Sequence, residues 1–228
     1  MTINWERWAA ATGIGFVVLF VVGLIVLGDQ PGLGESAADK AAFYTDNRGR
    51  ILTAMVILGL GLIAFLWFAA TLATALRDAG EARMGAVTLA GGAWFTTVLT
   101  LIGVLNSGLA FSIAQNADEG VAAALYDLTW ACGVVAAFPA AMVVAAVTFA
   151  TLRSAVFPAW WGWSSGVAAA VLLPGGTNWA REGFWAPDGA WSWITVIVLL
   201  AWTLCTSGLL VMQRTPAEAP RTTAIGAH

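Results

Sequence analysis

Residues 120–152, GVAAALYDLTWACGVVAAFPAAMVVAAVTFATL, carry a single charged side chain, Asp127. As a helix rising 1.5 Å per residue, this run is longer than the ~30 Å hydrocarbon core of a bilayer requires, so it must tilt or project beyond it. Pro139 lies inside it and predicts a kink, with the freed carbonyl satisfied by neighbouring groups. Arg153 closes the run.

Outward from this stretch the same reading repeats. Pro158 opens a shorter span over 157–174 that stops at Pro174-Gly175-Gly176, and a further span covers 190–212. Towards the N-terminus, spans are expected over 86–114, 51–76 and 9–28. The span over 9–28 could be taken for a signal peptide but reads as an uncleaved helix: its apolar run is long, only Arg7 marks its start, and no clear A-x-A site precedes Asp29. Between the first two spans, Pro31, Gly32 and Gly34 break the helix. Ser36 followed by Asp39 resembles a capping box with Asp in place of Glu, so a short outer amphipathic helix is expected there, with Phe43 and Tyr44 facing the membrane or the bundle. The expected fold is an all-α polytopic membrane bundle, a six-helix transmembrane domain over 1–215. A disordered cytoplasmic tail over 216–228 follows, because a Thr/Ala/Pro-rich segment buries too little to order itself.

Composition supports lipid as the solvent. Hydrophobic residues make up 60% of the 228 and charged residues 10%, with mean hydropathy +0.81, whereas soluble domains carry about 25% charged residues. The lone histidine, His228, is the last residue. That excludes bis-histidine haem ligation within one chain, an H-E-x-x-H zinc hydrolase and a Ser-His-Asp triad. Cys132 and Cys205 lack CxxC spacing and read as two buried reduced thiols. No cofactor and no metal site are expected. A net charge of −3 without a basic cluster speaks against nucleic acid. Arg outnumbers Lys nine to one in an Ala-, Gly- and Trp-rich chain, a composition suggesting a high-GC bacterial genome and hence a bacterial cytoplasmic membrane.

Lys and Arg placement sets orientation. The N-terminus, even loops and tail hold Arg7, Arg77, Arg83, Arg153, Arg214 and Arg221; the odd loops hold Lys40, Arg48, Arg50 and Arg181. Both termini are therefore expected in the cytoplasm. Trp5 and Trp8, Trp160, Trp161 and Trp163, and Trp179, Trp185, Trp191 and Trp193 cluster at span ends, where indoles anchor at the headgroup level.

Asp127 stands about eight positions into the fourth span, where a carboxylate is expensive unless it faces the bundle interior or an aqueous vestibule. Arg48, Arg50 or Arg181 are its expected partners. Asn106 falls at similar depth on the antiparallel third helix. Together Asn47, Arg48, Asn106, Asp127, Asn178 and Arg181 form a candidate polar cluster under the outer loops. It reads either as structural glue fixing helix register or as a site for a small polar or amphipathic ligand. Gly59 and Gly61, Gly91 and Gly92, and Gly162-x-x-x-Gly166 suggest close helix approach, within the chain or across a dimer.

Three motifs carry a resemblance: Phe43-Tyr44 followed by Asn47-Arg48; Leu152-Arg153-Ser154 followed by Pro158-x-Trp160-x-Gly162-Trp163; and Trp202 in the last span. With these, residues 9–212 resemble a DUF4386-like family of bacterial multi-span membrane proteins. The resemblance implies a six-helix membrane fold and brings no activity, substrate or catalytic residue. The expected role is non-enzymatic binding of a partner protein, a lipid or an amphipathic ligand at the outer face, in the bilayer and with a homo-oligomer open. The alternative is a small permease using Asp127, Pro139 and the broken fifth span.

Overall fold

The computed structural model describes residues 5–213. Arg214 and the tail expected over 216–228, which holds Arg221 and His228, lie outside them. Among the described residues the secondary structure is helical throughout: α1 (Trp5–Leu27), α2 (Ala37–Asp46), α3 (Arg48–Asp78), α4 (Ala82–Gly108), a π-helical turn (Leu109–Ile113), α5 (Ala114–Asn116), α6 (Glu119–Ser154), α7 (Ala159–Gly175) and α8 (Ala190–Gln213). Five segments are long and apolar enough to cross a membrane: Trp5–Leu27, Arg48–Asp78, Ala82–Asn116, Glu119–Ser154 and Ala190–Gln213. With 17 residues, α7 reaches about 25 Å.

The long helices form a ring in chain order. α1 packs on α3, α3 on α4, α4 on α6, α6 on α7, α7 on α8, and α8 returns to α1. Small residues let the backbones approach. A Cβ placed at Gly92 would lie 2.6 Å from Ala69 Cβ, and one at Gly162 would lie 2.9 Å from Leu152 Cδ2. The Gly162-x-x-x-Gly166 pattern thus packs α7 on α6 within the chain. Trp202 Nε1 donates to Ser165 Oγ at 2.9 Å, tying α8 to α7. The Ser207 hydroxyl donates to the Ala10 carbonyl and closes the ring between α8 and α1.

Connecting segments gather at the two ends. At one, Leu33 N donates to Asp188 Oδ2 at 3.1 Å and the Tyr126 hydroxyl donates to the Pro31 carbonyl, joining the first and last long loops to α6. At the other, Arg153 Nε lies 3.2 Å from Glu81 Oε1, and Gln213 Nε2 donates to Val156 O at 2.8 Å. Gly28 ends α1 with φ +68°, a left-handed position that glycine adopts without Cβ strain. The core divides likewise. Phe65, Phe68, Leu72, Val144, Val147, Trp161, Trp202 and Leu210 fill the ring towards the Arg153 end. A smaller cluster of Leu27, Tyr44, Ile51, Ala54, Leu109, Ala110 and Tyr126 seals the α2 end.

Helix in the third segment runs through the π turn to Asn116. Two expectations need correction. Cys132 is buried but Cys205 is exposed: α8 turns Thr203, Thr206 and Ser207 inward and leaves Leu204 outside with it. Trp161 does not anchor at an interface. It is buried in the core, while its neighbours Trp160 and Trp163 stay exposed.

Candidate functional site

The sequence of α2 builds a polar cap over the ring. Ser36 Oγ accepts from Asp39 N at 3.1 Å, starting the helix where a side-chain cap satisfies an orphan amide. Asp39 takes part differently from a regular capping box, accepting from the Ser36 hydroxyl through its carboxylate. Lys40 follows within the first turn and Tyr44 one turn later, so i,i+4 spacing puts both on the face that packs against α6. Lys40 is buried. Its ammonium donates to Asp127 Oδ1 at 2.7 Å and to Leu33 O at 2.8 Å, and lies 5.5 Å from the centre of the Tyr126 ring. A buried ammonium needs such acceptors, since an unpaired one would be strongly disfavoured.

Tyr44 reaches deeper. Its hydroxyl donates to Asn106 Oδ1 at 2.7 Å, and Asn106 Nδ2 donates to Ile102 O at 2.9 Å, so the buried amide is engaged at both ends. Burial pushes the Tyr44 phenol above the ordinary tyrosine range, and the neighbouring Tyr126 adds to the shift.

The structure thus joins two of the six sequence-derived residues, Asn106 and Asp127, through Lys40, Tyr44 and Tyr126. Of the other four, three are engaged elsewhere and Arg181 is not brought to the cluster. Asn47 Nδ2 donates to Phe43 O at 2.9 Å at the end of α2. The Arg48 guanidinium lies 5.8 Å from the Phe111 ring centre, and that of Arg50 5.8 Å from Phe43. Asn178 Nδ2 donates to Ser192 Oγ at 2.9 Å, and Arg181 is exposed on its loop. The partner of Asp127 is therefore Lys40, not Arg48, Arg50 or Arg181, because α2 folds back onto α6 and delivers the lysine there. The overlooked signal was the Lys40/Tyr44 spacing one turn beyond the Ser36 cap.

Beneath this cap the helices form an open-sided cavity. A chamber of about 1030 Å³ lies between α1, α3, α4, α6 and α8 and reaches Leu172 of α7. Its floor includes Phe16, Phe95 and Leu199, with Phe65 set edge-on to Phe16 and tilted against Phe95 at centroid distances of 4.8 and 4.9 Å. Threonines on its wall turn their hydroxyls to their own helices: Thr96 to Gly92 O, Thr100 to Thr96 O, Thr129 to Tyr126 O and Thr195 to Ser192 O. Towards the cap, Gln30, Asn106, Ser107 and Trp130 bring polar groups to the wall. Among the described residues no Asp, Glu, Lys, Arg or His lines the chamber.

Gly59, Gly103 and Gly133 all line it, and a Cβ on any of them would meet nothing within 4 Å. A helical glycine costs roughly 0.5–1 kcal/mol relative to alanine. At Gly92 or Gly162 close packing offsets that cost. At these three positions the missing side chain leaves space open.

No family model, curated protein or solved structure matches the chain.

Proposed function

We propose that this chain is a membrane-embedded binding protein that holds one amphipathic molecule in the chamber between its helices. The single observation that carries the reading is the apolar chamber of about 1030 Å³, whose wall threonines are bonded to their own helices and whose amide groups lie towards the α2 end. Its size sits at the upper end of ordinary ligand pockets, roughly 300–1,000 Å³. Apolar walls favour burial of a hydrocarbon body at about 25 cal/mol per Å², and the groups near the cap suit a hydroxyl, carbonyl or amide. The binding role is placed inside the ring instead of at the outer face.

In this reading α7 is a sixth span, short but wedged between α6 and α8, and α2 lies across the outer mouth. The start of α1 and the end of α8 are cytoplasmic, with Arg7, Arg77, Arg83 and Arg153 on that side. Lys40, one of the four outer cations, is engaged by Asp127. Kinship to a DUF4386-like family would fit this layout and rests on the Phe43-Tyr44, Pro158-x-Trp160 and Trp202 motifs. Binding is preferred over a permease built around Asp127, because that carboxylate bonds to Lys40 in the cap and does not line the chamber.

The test is native mass spectrometry after gentle detergent extraction, comparing the natural chain with Gly133→Phe. The natural chain should carry a retained lipid-sized adduct that the filled variant loses. Equal retention, or no adduct in the natural chain, would count against the proposal.

A further inference from the structure

We infer that the chamber opens sideways to the bilayer between α3 and α4 and admits an uncharged membrane lipid through that window. The inference rests on the binding reading above and adds the ligand's source and charge.

The window is bounded by contacts above and below. On the side away from the cap, α3 and α4 are locked, with Gly92 against Ala69 and Phe65 against Phe95. About three helical turns further along α4, the face that presented Gly92 presents Gly103, and there nothing lies within 4 Å of a Cβ. Gly59 on α3 is equally open. Nearer the cap the helices meet again, where α3 touches the π turn and Ile51, Ala54, Leu109 and Ala110 share one buried cluster. The gap therefore lies in the middle of two segments apolar enough to cross a membrane.

Chamber and outside are continuous at this gap. Val56, Leu60, Ile63 and Val104 line the chamber and are also 52–64% exposed. Such residues on these segments meet hydrocarbon, so the molecule at the opening is a lipid and not an aqueous solute. Charge narrows the class. With no ionisable residue on the described wall, a charged headgroup drawn inside would lose its hydration without a counter-ion. Gln30 and Ser107 can instead hydrogen-bond a neutral hydroxyl or carbonyl. A diacylglycerol, a long-chain alcohol or an isoprenoid has that chemistry.

The experiment uses the full chain in phosphatidylcholine vesicles containing a photoactivatable diacylglycerol, with labelled peptides mapped over time after lipid addition. Residues 129–137 of α6 report the chamber. Gly59→Leu/Gly103→Leu fills the window, and each single substitution provides a second variant if the pair does not fold. Gly208→Leu is the control, since it also adds a side chain where nothing lies within 4 Å but outside the chamber wall. Labelling of 129–137 should be about tenfold slower when the window is filled, as expected for a gated step, and unchanged in the control. Photoactivatable phosphatidic acid should label 129–137 weakly in every protein. Equal rates in filled and natural chains would overturn the window while leaving the chamber reading intact. Equal labelling by the anionic lipid would overturn the charge assignment. Labelling confined to outward residues in all proteins would overturn both window and chamber.

Discussion

Lys40 and Asp127 form an ion pair of 2.7 Å in which only the cation is buried: the lysine side chain is 5% exposed and the aspartate 51%. The asymmetry makes the two partners unequal. Asp127→Ala leaves a buried ammonium with the Leu33 carbonyl alone, and is expected to cost about 1.5–3 kcal/mol. Lys40→Met fills the buried site with an apolar chain and leaves a carboxylate that is already half exposed, so its cost should stay below about 1 kcal/mol. Thermal unfolding in detergent compares them, and equal losses would contradict the asymmetry.

Tyr44 and Asn106 provide a cleaner cycle. Tyr44→Phe removes the donor and leaves Asn106 Oδ1 buried without it, at about 1–3 kcal/mol. Adding Asn106→Leu removes the stranded acceptor, so the double variant should be more stable than the sum of the single losses implies. Strict additivity would mean the pair contributes no coupling.

Alkaline pH should loosen the cap through the same tyrosine. The Tyr44 phenol is held above its ordinary value by burial and then by Tyr126. The folded state favours the neutral form. The contribution is therefore complete below the unfolded tyrosine value of about 10, and is lost as pH rises above that towards the folded value. A stability titration should show a loss beginning there that is smaller in Tyr44→Phe. An identical alkaline loss in both chains would assign it to other groups.

Glycines should divide by location. Gly92→Ala would press a methyl onto Ala69 at 2.6 Å, an overpacking that typically costs about 1–3 kcal/mol. Gly103→Ala meets nothing within 4 Å and should stabilise by up to about 1 kcal/mol through helix propensity. Melting temperatures of the two variants should move in opposite directions. A shift in the same direction would mean the gap at Gly103 is filled in solution.

Hydropathy alone identified the long apolar segments, because a span must be apolar throughout and its ends need polar residues or breakers. The Ser36 cap was legible from residue type and spacing, and Asn106 and Asp127 were singled out because polar groups in a span need partners. The cap itself was not legible. Lys40 reads as one more loop charge until α2 is seen folded back onto α6. Nor could the chamber be read, since Gly59 and Gly103 look the same in sequence as Gly91 and Gly92, and only the folded surroundings separate a glycine with open space beside it from a packed one. The π turn left no mark, because no residue type demands it.

The most direct measurement is a density map of the chain in nanodiscs of phosphatidylethanolamine and phosphatidylglycerol doped with diacylglycerol. A single elongated feature should run from Phe16 and Phe95 up towards Gln30, Asn106 and Ser107, inside the helix ring. Helices α3 and α4 closed over a chamber filled by side chains, or one holding no such feature, would contradict the account.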